Sequence, residues 1–240
     1  MGRKLAQNTL PKLDVEPLEL ANKFAEFFTQ KIRKIRKDLE KNTELSHDQQ
    51  FTLSIGLEFQ STTCDEIKDL IMSSGSKLCS LDPVPTSMVK TLLPSLCPVI
   101  TVIVNKSLKE GLVPATMKAA LVRPLIKSND LDPDLLKSYR PVSNLPFISK
   151  ILEKVVSSRI DKHLLATKLI DQDQTAYRKF NSTETALMCI HNDILRNMDK
   201  GRATLLLMLD LSAAYDTIDH DIFLFRLTNY FGISGLPEMI

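Results

Sequence analysis

Apolar positions recur along this chain mostly at helical spacing, and only a few short stretches depart from it. Leu18, Leu20, Ala21, Phe24, Ala25, Phe28 and Ile32 fall on one face and predict an amphipathic helix from Glu16 to Leu39. Lys41 to Gln50 has no apolar period and reads as a linker. Ile67, Leu70 and Ile71 define a helix from Cys64 to Ser73, with Thr63 and Glu66 spaced as a capping box. Leu81-Asp82-Pro83-Val84-Pro85 is barred from helix, because each proline restricts the residue before it. Thr86 is then placed to cap a helix running through Leu93. Another spans Pro98 to Glu110, with Val99, Ile100, Ile103, Val104 and Leu108 inward and Gly111 just past its end.

Ala119 to Lys127 reads as a strand that Pro124 confines to an edge or a bulge. A polar loop, 128–138, separates it from a short returning strand, Tyr139 to Asn144, so the two predict a hairpin with a long tip. Ile148, Ile151, Leu152, Val155, Val156 and Ile160 form one apolar stripe that carries a helix to about Leu165. Asn181 and Glu184 frame a second capping box, and Leu187, Ile190, Ile194, Leu195 and Met198 extend that helix to Lys200-Gly201. Leu205-Leu206-Leu207-Met208-Leu209 then runs straight into Asp210. Such a run reads as a strand buried on both faces or a short core helix, and the turn-prone residues after it favour the strand. A last helix starts near Thr217 to Asp219 and ends at Gly232. The fold class is therefore α+β, rich in helix with a small antiparallel sheet. Three regions follow: 1–50, a basic helical extension and linker; 51–115, a helical region; and 116–240, which holds the hairpin and the apolar strand.

Composition changes this picture little. Hydrophobic residues make up 43% and charged residues 25% of the chain, as in ordinary globular proteins. A net charge of +2 is too small to argue for nucleic acid by itself, so only local clusters bear on that. The densest is Lys31, Arg33, Lys34, Arg36 and Lys37 on the first helix. It reads as a solvated face, or as an RNA-contacting or nuclear-import patch. Cys64, Cys79, Cys97 and Cys189 fit no zinc spacing and read as reduced thiols of an intracellular protein, nuclear or cytoplasmic. The first twenty residues lack a signal-peptide core, and no apolar run approaches a membrane span.

Asp210 is where chemistry enters. A buried strand has no reason to end in a carboxylate unless something satisfies the charge, and a divalent metal is one way to do so. A turn or helix cap beside the strand is another. The stretch Leu209-Asp210-Leu211-Ser212-Ala213-Ala214-Tyr215-Asp216-Thr217-Ile218-Asp219-His220 resembles the first catalytic motif of reverse transcriptases, in the form carried by non-LTR (LINE-type) retrotransposons. Lys127 followed by Tyr139-Arg140-Pro141-Val142-Ser143 resembles that family's fingers hairpin. Gln174-Thr175-Ala176-Tyr177-Arg178 resembles its next block, with Ala176 and Tyr177 where Gly and Phe are usual. Ser80-Leu81-Asp82-Pro83-Val84-Pro85-Thr86, with Gly111-Leu112-Val113-Pro114, is similar to the block just upstream of the fingers, with Pro83 where the family usually has glycine. The motifs occur in the family's order.

The resemblance implies a partial fingers and palm, nucleotidyl transfer, and as partners an RNA template, a DNA primer and a deoxynucleoside triphosphate. It implies Mg²⁺ held by Asp210, with the carbonyl of Leu211 as a neighbouring ligand. Lys127 would grip phosphate as a point charge and Arg140 as a fork, Arg178 would touch template or nucleotide, and Tyr215 would block a ribose 2′-hydroxyl. The family completes its metal site with a Tyr-x-Asp-Asp hairpin, and these 240 residues contain no such sequence. The chain is therefore expected not to polymerise DNA by itself, and its apolar strand is expected to promote self-association. A non-catalytic RNA-binding protein, or an interaction scaffold built on the amphipathic helices, stands as the alternative.

Overall fold

A computed structural model describes residues 15–40, 57, 59–76, 79–211 and 213–233. The linker expected at 41–50 lies outside these. The chain divides into two compact units, one of residues 1–160 and 215–240 and the other of Asp161–Ala214.

In the first unit, helix α1 (Pro17–Glu40) is followed by α2 (Cys64–Ser73), α3 (Thr86–Thr91), α4 (Leu93–Glu110) and the single turn α5 (Ala115–Lys118). Strands β1 (Leu121–Ile126) and β2 (Tyr139–Asn144) come next, and α6 (Phe147–Ala166) leaves the hairpin. Among the described residues these two strands form the whole sheet, paired antiparallel from Leu121↔Asn144 to Ile126↔Tyr139. The α+β expectation, rich in helix with a small antiparallel sheet, is met.

Local chemistry explains most boundaries. The Thr63 hydroxyl accepts from the Glu66 N–H (3.2 Å) and starts α2. Gly111 ends α4 at φ 66°, a left-handed conformation that a side chain resists. Thr86 does not cap α3: Pro85 occupies the cap position, and Thr86 is the first helical residue, buried. The fourth helix starts five residues before Pro98, because Pro94 sits in its first turn, where a missing N–H is harmless. Pro98 inside the helix forfeits one hydrogen bond, offset by burial of Leu93, Cys97 and Ile100 around it.

Two apolar clusters hold this unit. The larger joins Ile67 and Ile71 of α2, Val89 of α3, Leu93, Ile100 and Val104 of α4, and Phe147, Ile151, Leu152 and Val155 of α6. Truncating one such side chain to alanine costs roughly 2–5 kcal/mol. Arg159 on α6 pairs with both oxygens of Glu66 on α2 at 2.6 Å, fastening the helices at the edge of that core. Asp82 reaches across sixty-five residues to accept from the Phe147 N–H (2.7 Å), so it caps α6 from a distance. The smaller cluster is Phe24 and Phe28 of α1 against Ile126 and Tyr139 of the hairpin. The rings of Phe24 and Tyr139 meet edge to face, 5.0 Å apart at 74°. Helix α8 (His220–Phe231) begins on an Asp219 cap and ends at Gly232, as its sequence predicts.

The second unit contains the end of α6 and helix α7 (Thr183–Asp199). Its capping box is one residue off the predicted pair: Ser182 caps and Thr185 returns the bond, instead of Asn181 and Glu184. Glu184 lies in the first turn, where the Ser182 hydroxyl and then its own backbone N–H hold its carboxyl below the usual range. The predicted strand before Asp210 is not formed. Residues 202–211 carry no regular structure, and Leu205 and Leu209 are 93% and 85% exposed instead of buried. A strand is stabilised only by a ladder partner, and among the described residues β1 and β2 pair with each other alone.

Candidate functional site

Register sorts the hairpin side chains onto two faces. Residues directly opposite in an antiparallel pair share a face, and successive residues alternate. The pairs Ile126↔Tyr139, Pro124↔Pro141 and Val122↔Ser143 therefore share one face. That face is taken by α1, through Phe24 and Phe28. The pairs Leu125↔Arg140 and Arg123↔Val142 lie on the other. Packing of α1 thus sends Arg140 and Arg123 to the opposite, open side.

The Arg140 side chain is exposed and makes no hydrogen bond or ion pair among the described residues. Lys127 follows the last ladder pair at the hairpin tip, where its N–H donates to Ser138 O (2.9 Å). Its ammonium donates to Lys137 O (2.7 Å), and burial, then the nearby charge of Lys31, pull its pKa below the ordinary lysine value. Lys31 is a cation that the sequence placed on a helix but not beside the hairpin. The structure thus brings Lys127 and Arg140 to one end of one hairpin.

Arg178 belongs to the second unit and braces its own loop. One guanidinium nitrogen donates to the carbonyls of Asp171, Gln172 and Gln174 at 3.1–3.4 Å. Beside it Tyr177 and Phe180 take positive φ angles of 60° and 65°, with their rings almost wholly in solvent. Those conformations cost about 1–3 kcal/mol each for a bulky residue. Ammonium and ring meet where Lys179 lies 5.1 Å from the Phe180 centroid.

Asp210 and Leu211 are exposed on the irregular segment of the second unit, and Tyr215 is largely exposed at the start of the returning first-unit chain. Their donor chemistry is right for a hard cation, since a carboxylate and a carbonyl are both oxygen ligands. Their number is not. No group of three His, Cys, Asp or Glu side chains converges among the described residues. One carboxylate and one carbonyl do not make a magnesium site of the two-ion kind.

Comparison with known proteins agrees with the motifs. The family model "Reverse transcriptase (RNA-dependent DNA polymerase)" matches residues 126–234, from the end of β1 past α8. The chain is 26% identical over 178 residues to the RNA-directed DNA polymerase from mobile element jockey of Drosophila melanogaster, covering 74% of this chain and 19% of that protein. It is 24% identical over 211 residues to the probable RNA-directed DNA polymerase from transposon X-element of the same organism, covering 88% and 22%. A 24% match over 170 residues to the probable RNA-directed DNA polymerase from transposon BS covers 70% and 19%. The chain spans about a fifth of the length of these curated relatives. The resemblance to LINE-type reverse transcriptases holds: Lys127, Arg140, the Arg178 block and the Asp210 motif all lie within the matched stretch. No described helix is long and apolar enough to cross a membrane.

Proposed function

We propose that this chain is the fingers and first-motif portion of an RNA-directed DNA polymerase, able to hold a nucleoside triphosphate but not to polymerise by itself. The observation that carries it is the placement of Lys127 and Arg140 at the tip end of one hairpin, Arg140 opposite Leu125 and Lys127 bonded to Ser138. A fork of guanidinium donors and a mobile ammonium at one end of a stiff element match the oxygens of a triphosphate. Among the described residues the Arg140 side chain has no competing carboxylate to displace, and the Lys127 ammonium has one carbonyl to release.

In the complete reaction a primer 3′-hydroxyl attacks the α-phosphate on an RNA template. Bound Mg²⁺ would neutralise the charge that builds on the oxygens. Asp210 and the Leu211 carbonyl are the groups for it here. They are too few, so no catalytic step is assigned to this chain. Tyr215 would set the preference for a deoxyribose, and Arg178 would approach the template once freed from its loop. The basic half of α1 favours RNA contact as a second activity of the same fragment, because Lys31 stands close enough to act on Lys127.

Calorimetric titration with a deoxynucleoside triphosphate tests this reading. Arg140→Lys is expected to weaken binding about tenfold, since a point charge replaces charge-assisted paired bonds worth roughly 1.5–3 kcal/mol. Equal affinity in Arg140→Lys and Lys127→Met contradicts it.

A further inference from the structure

The open face of the hairpin leads at its root into a second basic feature. A cleft of about 690 Å³ is lined by Arg123, Lys150 and Lys154, with Ser74, Gly75 and Asn144 among its other walls. Arg123 comes from β1, the two lysines from successive turns of α6, and Ser74 and Gly75 from the chain just after α2. Three segments separate in sequence thus help build the cleft, and two of them bring its three cations together.

The two lysines are held by neutral groups. The Lys150 ammonium donates to Asn144 Oδ1 (2.6 Å), and that of Lys154 to Ser74 Oγ (2.7 Å). The Arg123 side chain makes no hydrogen bond or ion pair among the described residues. Lys90 approaches the same wall, donating to the Ser74 and Met72 carbonyls that end α2. One carboxylate, Asp82, lines the cleft, and it already accepts from the Phe147 N–H. Glu153 lies on α6 between the two lysines and borders a different cleft; Lys150 only partly offsets the upward pull of burial on its carboxyl. By contrast, Arg159 and Lys23 of this unit sit on acids, Glu66 and Glu19. Positive charge here is oriented and concave, with three cations against the one carboxylate of the lining, an arrangement that suits a compact oxyanion.

We propose that this cleft is a phosphate-binding site, in which Arg123, Lys150 and Lys154 grip one phosphate group. Two sources share that chemistry, the backbone of a single-stranded nucleic acid and a free oligophosphate. The site needs neither Asp210 nor the hairpin tip, so it stands apart from the triphosphate reading. A chain phosphate held here would leave the strand free to continue along the face that carries Arg140.

The test uses the full 240-residue chain with a labelled single-stranded RNA oligonucleotide in one arm and inorganic tripolyphosphate in the other. Lys150→Gln/Lys154→Gln is expected to weaken binding uniformly across RNA sequences. It should also flatten the slope of log K against log salt by about 0.7, the value for one phosphate contact on a single strand. Gly75→Glu guards against misfolding, because a Cβ at Gly75 meets nothing within 4 Å and the variant deletes no contact. It should reproduce the loss while melting like the parent. Loss confined to the RNA arm assigns the site to a nucleic-acid backbone, and loss in the tripolyphosphate arm assigns it to a free oligophosphate. Unchanged binding and salt slope in both the double variant and Gly75→Glu overturn the proposal.

Discussion

At the scale of single residues, the groups that matter most for stability sit where distant segments meet. Arg159 is nine-tenths buried with its charge on Glu66, ninety-three residues earlier. Removing one partner of such a pair costs up to about 3–5 kcal/mol, less here because the Glu66 side chain keeps some contact with water. Cys97 is the group with the largest pH consequence. Burial first, and then the neighbouring Cys64, push its thiol from the ordinary 9.0 up to about 11. The folded chain therefore keeps this proton where the unfolded chain has lost it. Stability from the thiol is complete below pH 9 and falls as pH rises through 9 to 11. Tyr139, raised from 10.0 mainly by burial, adds a fall of the same sign. Thermal melting from pH 8 to 11 should show Tm dropping, and Cys97→Ala should drop less steeply between pH 9 and 10; parallel curves would refute the assignment. Lys127 and Arg140 are legible in the sequence because their motif is local. Arg123, Lys150 and Lys154 are not, since only the folded hairpin and α6 bring them together.

At the scale of elements, helices and the hairpin follow from local rules, because their determinants are periodicity, caps and prolines within a few residues. The helices at Cys64–Ser73 and Phe147–Ala166 and the strand at Tyr139–Asn144 fall on or within a residue of the ranges their patterns predict. What pattern does not encode is a partner. Apolarity at 205–209 predicted a strand, but a strand is a pairwise object, and this stretch has no ladder among the described residues. Its leucines stand in solvent, where such a segment invites pairing with another copy. Light scattering against concentration should therefore show association of the wild-type chain, reduced by Leu207→Lys with Leu209→Lys. A monodisperse wild-type monomer at high concentration would count against this.

At the scale of the whole molecule, charge is distributed and not abundant. A net charge of +2 hides a basic half-helix, a hairpin tip with Lys127 and Arg140, and a cleft of three cations. Total charge gave no hint of them; spatial clustering does. The chain covers about a fifth of its relatives' length, and the acidic half of the reaction is thinly represented in it. In the proposed reading, grip on phosphate and catalysis of nucleotidyl transfer are separable, the first resting on several cations and the second on Asp210 alone among the described residues. Positioning without electrostatic stabilisation of the transition state forgoes the larger part of the rate. Primer extension by the pure 240-residue chain, with Mg²⁺, four deoxynucleoside triphosphates and a DNA primer on an RNA template, measures this directly. Product no greater than in the protein-free control is the expected result, and robust extension would contradict the account.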